Sequence, residues 1–563
     1  MTGFPQLHPQ KTSISTVLLR FASGCLVAST IALGLTAERA EVAAPKDVEL
    51  QVGVVQRFGG QANDTITLKA PPGDRLSIQV ETAEGKPQTL VSDTAALAIV
   101  PQALPEARIE ERVVFSTHRS FESAEEDANR WRAAGIPVEL AQPNRWQVWA
   151  KREVYSTPLL RRLLLQSVQA KGIQTAFLDT KVLPTEPQAV VIVNGQRYAR
   201  DQLKIRAGQG KIQVTSKTGD SDRTTRLYAG SLRLQPNAYG SYTLVNQVPL
   251  EAYLRGVVPH EIGTFAAQPV LEVQAILART YALRNLRRFE IDNYQLCADT
   301  QCQVYFGLGD AHPKTDRAIA ATRGKVLTYQ NELVDAVYSA NTGGVTAEFD
   351  DVWQGANRPY LTTKIDSVAN SWDLARKPLT NEQNFRQFLK QKQGFNEADQ
   401  KWFRWRYDST IAELNQDLRE YLKKMRNPLA NFQTIQRLAV VERAPSGRVQ
   451  KLQVTTDQGT ITLEKDNILI AFYAPASLLF QVDPLYNAQK KVTGYAFAGG
   501  GLGHGVGLSQ TGSYHLGKLG WSSDRILSFY YPGTQLQPIN NAIVFWRNPA
   551  QLQSANPNPY QAP

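Results

Sequence analysis

The feature that most constrains the fold is a duplicated pattern of strands and helices between about residues 109 and 180. The strand-like segment RVVFST precedes one helical stretch, and the strand-like segment WQVWA precedes a second. A further strand-like segment, IQTAFL, follows the second helix. The order β-α-β-β-α-β within about 70 residues is that of a small α/β sandwich. The sequence therefore predicts a βαββαβ module over residues 109–181.

Both helices of this module have boundary signals in the sequence. Ser123 and Glu126 have the spacing of a capping box at the start of the first helix, and Gly135 would end it. The second helix has comparable signals at Thr157, Pro158 and Gly172. The pattern resembles the SPOR domain, a module that binds peptidoglycan glycan strands lacking stem peptides. A generic ferredoxin-like insert is the alternative, because the resemblance includes no specific motif.

The rest of the chain predicts a mixed α+β fold with several domains. A chain of 563 residues is too long for one compact core, and 42% hydrophobic with 20% charged residues is an ordinary globular composition. Strand signals fill 48–105, helical periodicity begins near Pro249 and again at Pro269, and 380–440 has a helical character. We divide the chain into a signal segment (1–44), an N-terminal β segment (45–108), the module (109–181), a main domain (185–548) and a disordered tail (549–563). The β segment is expected to be the front of the main domain.

The first residues have the layout of a secretory signal peptide. Lys11 and Arg20 precede an apolar run over 21–37, and the small residues at 42–44 follow it. We therefore expect an exported protein of the periplasm or cell wall. An uncleaved membrane anchor is the alternative. We expect this chain to contact a membrane only through this segment, if it stays uncleaved. Lipid attachment at Cys25 is a weaker reading, because that cysteine lies inside the apolar run.

Net charge favours an anionic polymer as partner. The formal charge is +11 and the pI is about 9.3. An exported basic protein is biased toward wall material. The lysines and arginines form no dense run, so nucleic acid is not expected. A basic surface that serves solubility alone is the competing explanation.

The first motif segment centres on Glu261. This carboxylate lies in Pro259-His260-Glu261-Ile262-Gly263, which reads as a short link between two helices with apolar neighbours. A carboxyl near apolar surface has a raised pKa, which suits a general acid at neutral pH. Taken alone, such a glutamate is more often a solvated surface group. Arg279 lies within the second helix, where a structural ion pair with Glu272 is the alternative to a functional role.

The second motif segment contains a glycine turn and aromatic residues. A strand ends in Asn341-Thr342-Gly343-Gly344, and Trp353 and Tyr360 follow. The glycines permit a sharp turn and a close approach to a ligand. Aromatic rings beside polar groups suit a sugar chain, although each ring singly is as easily a core residue.

The third motif segment is GGGLGHGVGLSQTGSYHLG, in which His504 lies among six glycines between Gly499 and Gly507. The segment lacks the Gly-Lys-Ser/Thr ending of a P-loop. The sequence also lacks a Gly-x-Ser-x-Gly nucleophile elbow and a His-Glu-x-x-His zinc motif. These classes of site are therefore unsupported.

Together the segments VNQVPLEAYLRGVVPHEI, QAILARTYA, CQVYFG, YSANTGG and GHGVGLSQTG with ILSFYYPGT resemble the stage II sporulation protein D / LytB amidase-enhancer family. The resemblance covers about 185–548, and the motifs occur in the family's order. It implies a mixed α+β fold and one of two functions. Some members are lytic transglycosylases that cut glycan strands and leave a 1,6-anhydro end. Others are named as enhancers of N-acetylmuramoyl-L-alanine amidases.

The resemblance also implies the site residues. The family's catalytic acid falls on Glu261, and we expect a single glutamate to act as acid and then as base. The positions that match the family's motifs, and that we expect to bind substrate, are Arg279, Thr280, Gln303, Tyr305, Thr342, Gly343, His504, Ser509 and Gln510. The expected partners are glycan strands and a cell-wall amidase. Departures from the family pattern occur at Ile262-Gly263 and at Pro269.

Some family members bind zinc through two cysteines and two histidines near the CQVY segment. This chain has Cys297 and Cys302, but the nearest following histidine is His312. Two thiolates do not complete a tetrahedral site. We therefore expect a disulfide or free thiols, with neither metal nor other cofactor.

The signal-segment hypothesis makes a direct prediction. N-terminal sequencing of exported protein is expected to begin between about Glu38 and Lys46, because signal peptidase cleaves after small residues. Exported material that begins at Met1 would contradict cleavage and favour the anchor.

Overall fold

Alternation of buried and exposed residues builds the first strands, as in Thr65–Lys69, where Ile66 and Leu68 point inward. The computed structural model describes residues 47–61, 63–81, 86–173, 175–219 and 221–547. The predicted signal segment and the predicted disordered tail lie outside these residues. None of the described helices is long and apolar enough to cross a membrane.

The described residues before 250 are mostly strands. In chain order they form β1 (Glu49–Phe58), β2 (Thr65–Lys69), β3 (Leu76–Glu81), β4 (Pro87–Ser92), β5 (Thr94–His118), α1 (Phe121–Ala133), β6 (Val138–Ala141), β7 (Trp146–Ala150), α2 (Pro158–Ala170), β8 (Phe177–Val193), β9 (Gln196–Ala199), β10 (Leu203–Ala207), β11 (Lys211–Lys217), β12 (Thr224–Ala229), β13 (Ser231–Pro236) and β14 (Tyr242–Pro249).

The middle of the chain has more helix than strand, with irregular segments between the elements. It contains α3 (Leu250–Ile262), α4 (Gln268–Arg284), β15 (Leu296–Cys297), α5 (Pro313–Ala321), β16 (Lys325–Tyr329), β17 (Glu332–Leu333), β18 (Tyr338–Ser339) and α6 (Glu382–Lys390).

The last part mixes both types. It contains β19 (Trp405–Thr410), α7 (Ile411–Lys424), β20 (Ile435–Arg443), β21 (Val449–Thr456), β22 (Gly459–Glu464), α8 (Ile468–Ala471), β23 (Phe480–Tyr486), β24 (Val492–Gly499), β25 (Leu508–Ser509), α9 (Gln510–Lys518), α10 (Ser523–Tyr530) and β26 (Gln535–Pro538). Short 3₁₀ turns lie at Glu290–Asp292, Phe349–Asp351, Pro428–Asn431 and Lys465–Asn467. The predicted α+β class is confirmed.

Two large sheets form the front of the molecule. One has the strand order β15-β1-β14-β13-β10-β3-β4, and the other has β12-β11-β2-β5-β7-β6 with β8 and β9 attached at β5. Apolar side chains from both sheets belong to a single core cluster that also contains the inner faces of α3 and α4. Strands β1 and β14 pair directly, so the predicted N-terminal β segment is structurally continuous with the residues that follow 185.

Residues 109–181 have the predicted order of strands and helices. Their strands pair antiparallel in the order β6-β7-β5-β8, which is the arrangement of a split βαβ unit. Strands β5 and β8, of 25 and 17 residues, continue beyond the module as a paired ribbon into the second sheet. This order fits both alternatives, and the resemblance to SPOR domains stays a prediction.

The structure corrects one helix boundary of the module. Helix α1 begins at Phe121 with Ser120 as its N-cap, whose hydroxyl accepts the Ser123 N–H at 3.4 Å. The predicted cap at Ser123 is wrong because burial of Phe121 and Ala124 brings the earlier residues into the helix. Helix α2 has the predicted N-cap at Thr157, whose hydroxyl accepts the Leu160 N–H.

The link predicted at 259–263 is wrong as well, because α3 continues through Pro259 to Ile262. Pro259 has no N–H to donate, so the last part of α3 lacks one intrahelical hydrogen bond. The terminal carbonyls find partners on α9: the Gln510 amide donates to the Glu261 carbonyl at 2.8 Å, and the Tyr514 hydroxyl donates to the Ile262 carbonyl. Glu261 therefore lies in the last turn of a helix rather than in a loop.

A buried ion pair fixes α3 against α4. Arg279 is fully buried, and its Nε and Nη2 donate to the two carboxylate oxygens of Glu251, each at 2.8 Å. The alternative partner named from the sequence, Glu272, instead accepts from Gln268 and Ser523. The pair joins facing helices and so holds the helix that carries Glu261.

The stretch 380–440, predicted as helical, is helical only in part. Helices α6 and α7 lie within it, but β19 separates them and pairs with β24. The local sequence of β19, WRYDST, shows little strand periodicity, so its conformation depends on its partner.

The module packs directly against the main body of the protein. Trp146 is 1% exposed and lies between Phe121 and Phe289, with ring centroids 5.0 and 5.1 Å away. Buried Arg288 of the main body pairs with Glu122 of α1. The interface thus combines aromatic packing with a charge-assisted contact.

Replacement of Trp146 by alanine tests this interface. Removal of a large buried side chain is expected to lower the free energy of unfolding by about 3–5 kcal/mol. Urea unfolding would measure the loss, with Trp521→Ala, a half-buried tryptophan on the surface, as control. An equal loss in both variants would contradict a special role for the interface.

Candidate functional site

A cleft of about 460 Å³ opens beside the end of α3. Three parts of the chain form its walls. The residues that line it are, from the module, Arg119, Ser120 and Glu122; from 261–340, Glu261, Tyr281, Thr300, Gln301, Cys302, Val337, Tyr338, Ser339 and Ala340; and from 352–510, Val352, Trp353, Asp466, Leu469, Ala476, Leu478, Leu502, Gly503, His504 and Gln510.

Glu261 is the half-buried acid of this cleft. Burial raises the pKa of its carboxyl. Hydrogen bonds oppose the rise in pKa: the Val304 N–H donates to Oε1 at 2.7 Å, and the Tyr338 and Gln510 side chains act in the same direction. The result is a carboxyl held in a fixed orientation that takes up a proton more readily than an exposed glutamate.

His504 lies in the glycine-rich segment 499–507, lines the same cleft and is neutral. Burial, together with the nearby charge of Arg448, lowers the pKa of His504 to about 4. Its Nδ1 accepts the Val506 N–H at 3.0 Å, which assigns the remaining proton to Nε2. The ring packs against Trp353 with centroids 4.9 Å apart. His504 therefore shapes the wall and supplies no charge at neutral pH.

A fully buried carboxylate, Glu397, joins the second and third motif segments. One oxygen accepts the Thr342 N–H at 2.6 Å and the Ser509 hydroxyl. The other accepts the Gly344 N–H at 2.7 Å and the Thr342 hydroxyl at 3.1 Å. Thr342 and Ser509 thus have their hydroxyls directed at an internal partner.

A second buried carboxyl, Asp366, lies beside Glu397. Asp366 accepts from the Asn396 amide at 2.7 Å and the Tyr530 hydroxyl at 3.0 Å. Burial and the charge of Glu397 raise the pKa of Asp366 to about 8, and burial raises the pKa of Glu397 as well. Because Glu397 has four donors, we assign the charge to Glu397 and the proton to Asp366.

Buried Arg448 holds the same two segments through their carbonyl groups. Its guanidinium donates to the carbonyls of His504 at 3.0 Å and of Thr342 and Val345 at 3.2 Å each. Burial lowers the pKa of Arg448 to about 10, which leaves it charged at neutral pH. Glu397 therefore accepts backbone N–H groups of the 341–344 turn, and Arg448 donates to carbonyls of this turn and of the His504 loop.

The structure brings only some of the predicted site residues to the cleft. Glu261, His504 and Gln510 line it. Gln303 lies directly behind, donating to the Tyr338 hydroxyl at 3.0 Å. The remaining predicted residues lie outside the lining residues and have internal partners or close packing, and they are Arg279, Thr280, Tyr305, Thr342, Gly343 and Ser509. A substrate-binding role for all of these residues stays a prediction.

Cys297 and Cys302 are joined by a disulfide in the structure. Cys302 lines the cleft, and the neighbouring Gln301 accepts a hydrogen bond from the Trp146 indole of the module. Within the described part of the chain, no group of three His, Cys, Asp or Glu side chains could hold a metal ion.

Sequence reasoning missed several residues that organise the site. Glu397 and Arg448 contact the motifs from 53 and more residues away. Arg404 donates to the Gly343 carbonyl at 2.9 Å. No local signal marks Glu397 or Arg448, because their neighbours in the sequence are mostly polar. Arg404 lies in the aromatic run Trp402-Phe403-Arg404-Trp405, where a charged residue that becomes buried needs an internal partner.

Fold and cleft together define a mixed α+β protein whose half-buried glutamate lies between a helix end and a glycine-rich loop. Residues 238–329 match the family model described as stage II sporulation protein, and residues 347–507 match one described as a domain of unknown function, DUF8618. The first match contains Glu261, Arg279, Thr280, Gln303 and Tyr305, and the second contains His504.

Curated relatives agree with the first family model. The chain is 27% identical over 410 residues to the amidase enhancer of Bacillus subtilis (strain 168), a match that covers 64% of this chain and 53% of that protein. It is 25% identical over 348 residues to stage II sporulation protein D of the same organism, with 58% and 87% covered. The chain thus spans about half the length of the amidase enhancer. These findings support the stage II sporulation protein D / LytB family, and the family predicted from the motifs is confirmed.

The buried carboxyl pair predicts a pH dependence of stability. The pKa of Asp366 is about 8 in the folded protein, against about 4 in an unfolded chain. Its contribution to stability is therefore full below about pH 4 and is lost as pH rises toward 8, by at most about 1.4 kcal/mol per pH unit. Urea unfolding of Asp366→Asn between pH 5 and 8 should show a weaker fall in stability than the parent. Asp373→Asn, which removes an exposed aspartate, is the control, and parallel pH profiles for all three proteins would contradict the assignment.

Proposed function

We propose that this protein is exported to the periplasm or cell wall and cleaves the glycan strands of peptidoglycan as a lytic transglycosylase. The observation that carries the proposal is the position of Glu261: a carboxyl with a raised pKa, oriented by the Val304 N–H, at a cleft lined by aromatic and polar groups. The family, whose relatives include an amidase enhancer and a sporulation protein, supports a role at the cell wall.

A single carboxyl suffices for this chemistry. The protonated Glu261 gives its proton to the glycosidic oxygen as the bond from C1 of N-acetylmuramic acid breaks. The carboxylate then takes the proton from the C6 hydroxyl of the same sugar, whose oxygen bonds to C1 and closes the 1,6-anhydro ring. The proton count balances, and no water is consumed. A hydrolase would instead need a second carboxylate as base or nucleophile.

The other acids of the cleft have their own partners. Glu122 is paired with Arg288, and Asp466 accepts the Ser120 hydroxyl at 3.1 Å. Neither has the backbone N–H contact that fixes Glu261. We therefore assign the acid and base steps to Glu261 and leave Glu122 and Asp466 as wall residues.

A second candidate function is stimulation of a cell-wall amidase without cleavage. One relative is named an amidase enhancer. The module, if it binds glycan, would hold such a protein on the wall. Stimulation of an amidase needs no proton transfer at Glu261, whereas cleavage of the glycan strand does, and this difference separates the two functions.

Glu261→Gln tests the proposal. Glutamine retains size and hydrogen bonding but transfers no proton, so release of anhydro-muramyl products should fall by about 10²–10⁴-fold or more. Mass spectrometry of purified glycan strands after incubation measures the products. Glu272→Gln, which changes a carboxyl on the adjacent helix that bonds to Gln268 and Ser523, should retain activity.

Unchanged cleavage by the Glu261 variant would remove it as the acid. Loss of cleavage in both variants would indicate damage to α3 and α4 rather than to the chemistry. If the unaltered protein cleaves nothing but accelerates an added amidase, the second function replaces the first.

A further inference from the structure

Arg119 brings an unpaired cation from the module into the cleft. It lies between the end of β5 and the N-cap of α1, is exposed, and lines the cleft. Of the described residues that line the cleft, it is the one lysine or arginine. Among residues 47–61, 63–81, 86–173, 175–219 and 221–547, its guanidinium forms no hydrogen bond or ion pair. Its five N–H groups are therefore available to a ligand.

Firm contacts fix the segment that carries Arg119. The Ser120 hydroxyl donates to Oδ2 of Asp466 at 3.1 Å, and the Ser123 hydroxyl accepts the Gln354 N–H at 3.1 Å. Glu122 binds buried Arg288, as described above. The start of α1 is thus attached to the main body on both sides, and Arg119 is held at the cleft wall.

Asp466 provides the complementary group. It belongs to the 347–507 segment, lines the same cleft, and interacts electrostatically with Arg119 without forming a direct ion pair. A guanidinium offers donors alone, and a carboxylate offers acceptors alone. A sugar presents hydroxyls that donate and accept, together with an N-acetyl carbonyl that accepts. Arg119 can therefore donate to the oxygens of a sugar ring, while Asp466 accepts from its hydroxyls.

We propose that Arg119 and Asp466 form a sugar-binding subsite beside Glu261, so that the module is a wall of the active cleft and not a detachable anchor. The inference rests on the proposed function for the identity of the ligand, an amino-sugar glycan strand. It extends that function by making the module and the 347–507 segment necessary for substrate positioning. Arg119 is a positioning residue that contacts the strand and takes no part in proton transfer.

Binding of glycan strands can be measured without cleavage. In a Glu261→Gln background, Arg119→Ala is expected to weaken the affinity for soluble, purified glycan strands by about ten- to hundredfold, the range for loss of a charged hydrogen bond. Arg119→Lys should recover part of that loss. Arg130→Ala is the matched control, because Arg130 is an exposed arginine of the same module that pairs with Asp127 outside the cleft lining.

Activity provides the second readout. With Glu261 intact, Arg119→Ala should raise KM by a similar factor and change kcat by less than about threefold, since uniform binding is lost rather than proton transfer. Asp466→Asn should also raise KM. Circular dichroism and melting temperature should match those of the Arg130→Ala control.

The outcomes separate this inference from the proposed function. Weaker binding by the Arg119 variant in a protein that cleaves nothing supports the subsite while the lytic function falls. Cleavage with unaltered affinity and KM in the Arg119 variant overturns the subsite while the lytic function stands. A loss of binding that accompanies a lowered melting temperature in both Arg119→Ala and Arg119→Lys would make Arg119 structural and overturn the subsite.

Discussion

The cleft depends on two buried charges that hold glycine-rich turns in place. Turns such as 341–344 and 499–507 have little side-chain surface to pack, so their conformation needs partners for their backbone groups. Glu397 accepts hydrogen bonds from the N–H groups of one turn and from the Ser509 hydroxyl, while Arg448 donates to carbonyls of both turns. The position of His504, and with it one wall of the cleft, follows from these bonds.

The opposite wall depends on helices rather than turns. The Arg279–Glu251 pair fixes α4 against α3, and the carbonyls at the end of α3 are bound by side chains of α9. Glu261 is therefore held from the backbone as well as through its carboxyl. For the two proton transfers that we propose for Glu261, such a fixed position matters, because a small displacement of the reacting groups costs much of the rate.

Sequence patterns predicted what depends on neighbouring residues. The caps of α2 and the βαββαβ order follow from local signals, and Glu261 was found through a motif. The N-cap of α1 was missed by three residues, because burial of Phe121 outweighed a good capping box at Ser123. Glu397, Arg448 and Arg119 were missed because their roles arise from contacts between distant parts of the chain, which no local pattern records.

The ribbon formed by β5 and β8 adds a mechanical property to this arrangement. About eight residues of β8 between the module and the sheet, at about 3.3 Å each, span roughly 26 Å, and many ribbon side chains are exposed on both strands. The chain therefore enters and leaves the module through one paired arm, formed by β5 and β8 side by side. The paired arm therefore joins the module to the second sheet independently of the contacts that Ser120, Glu122 and Trp146 make with the main body.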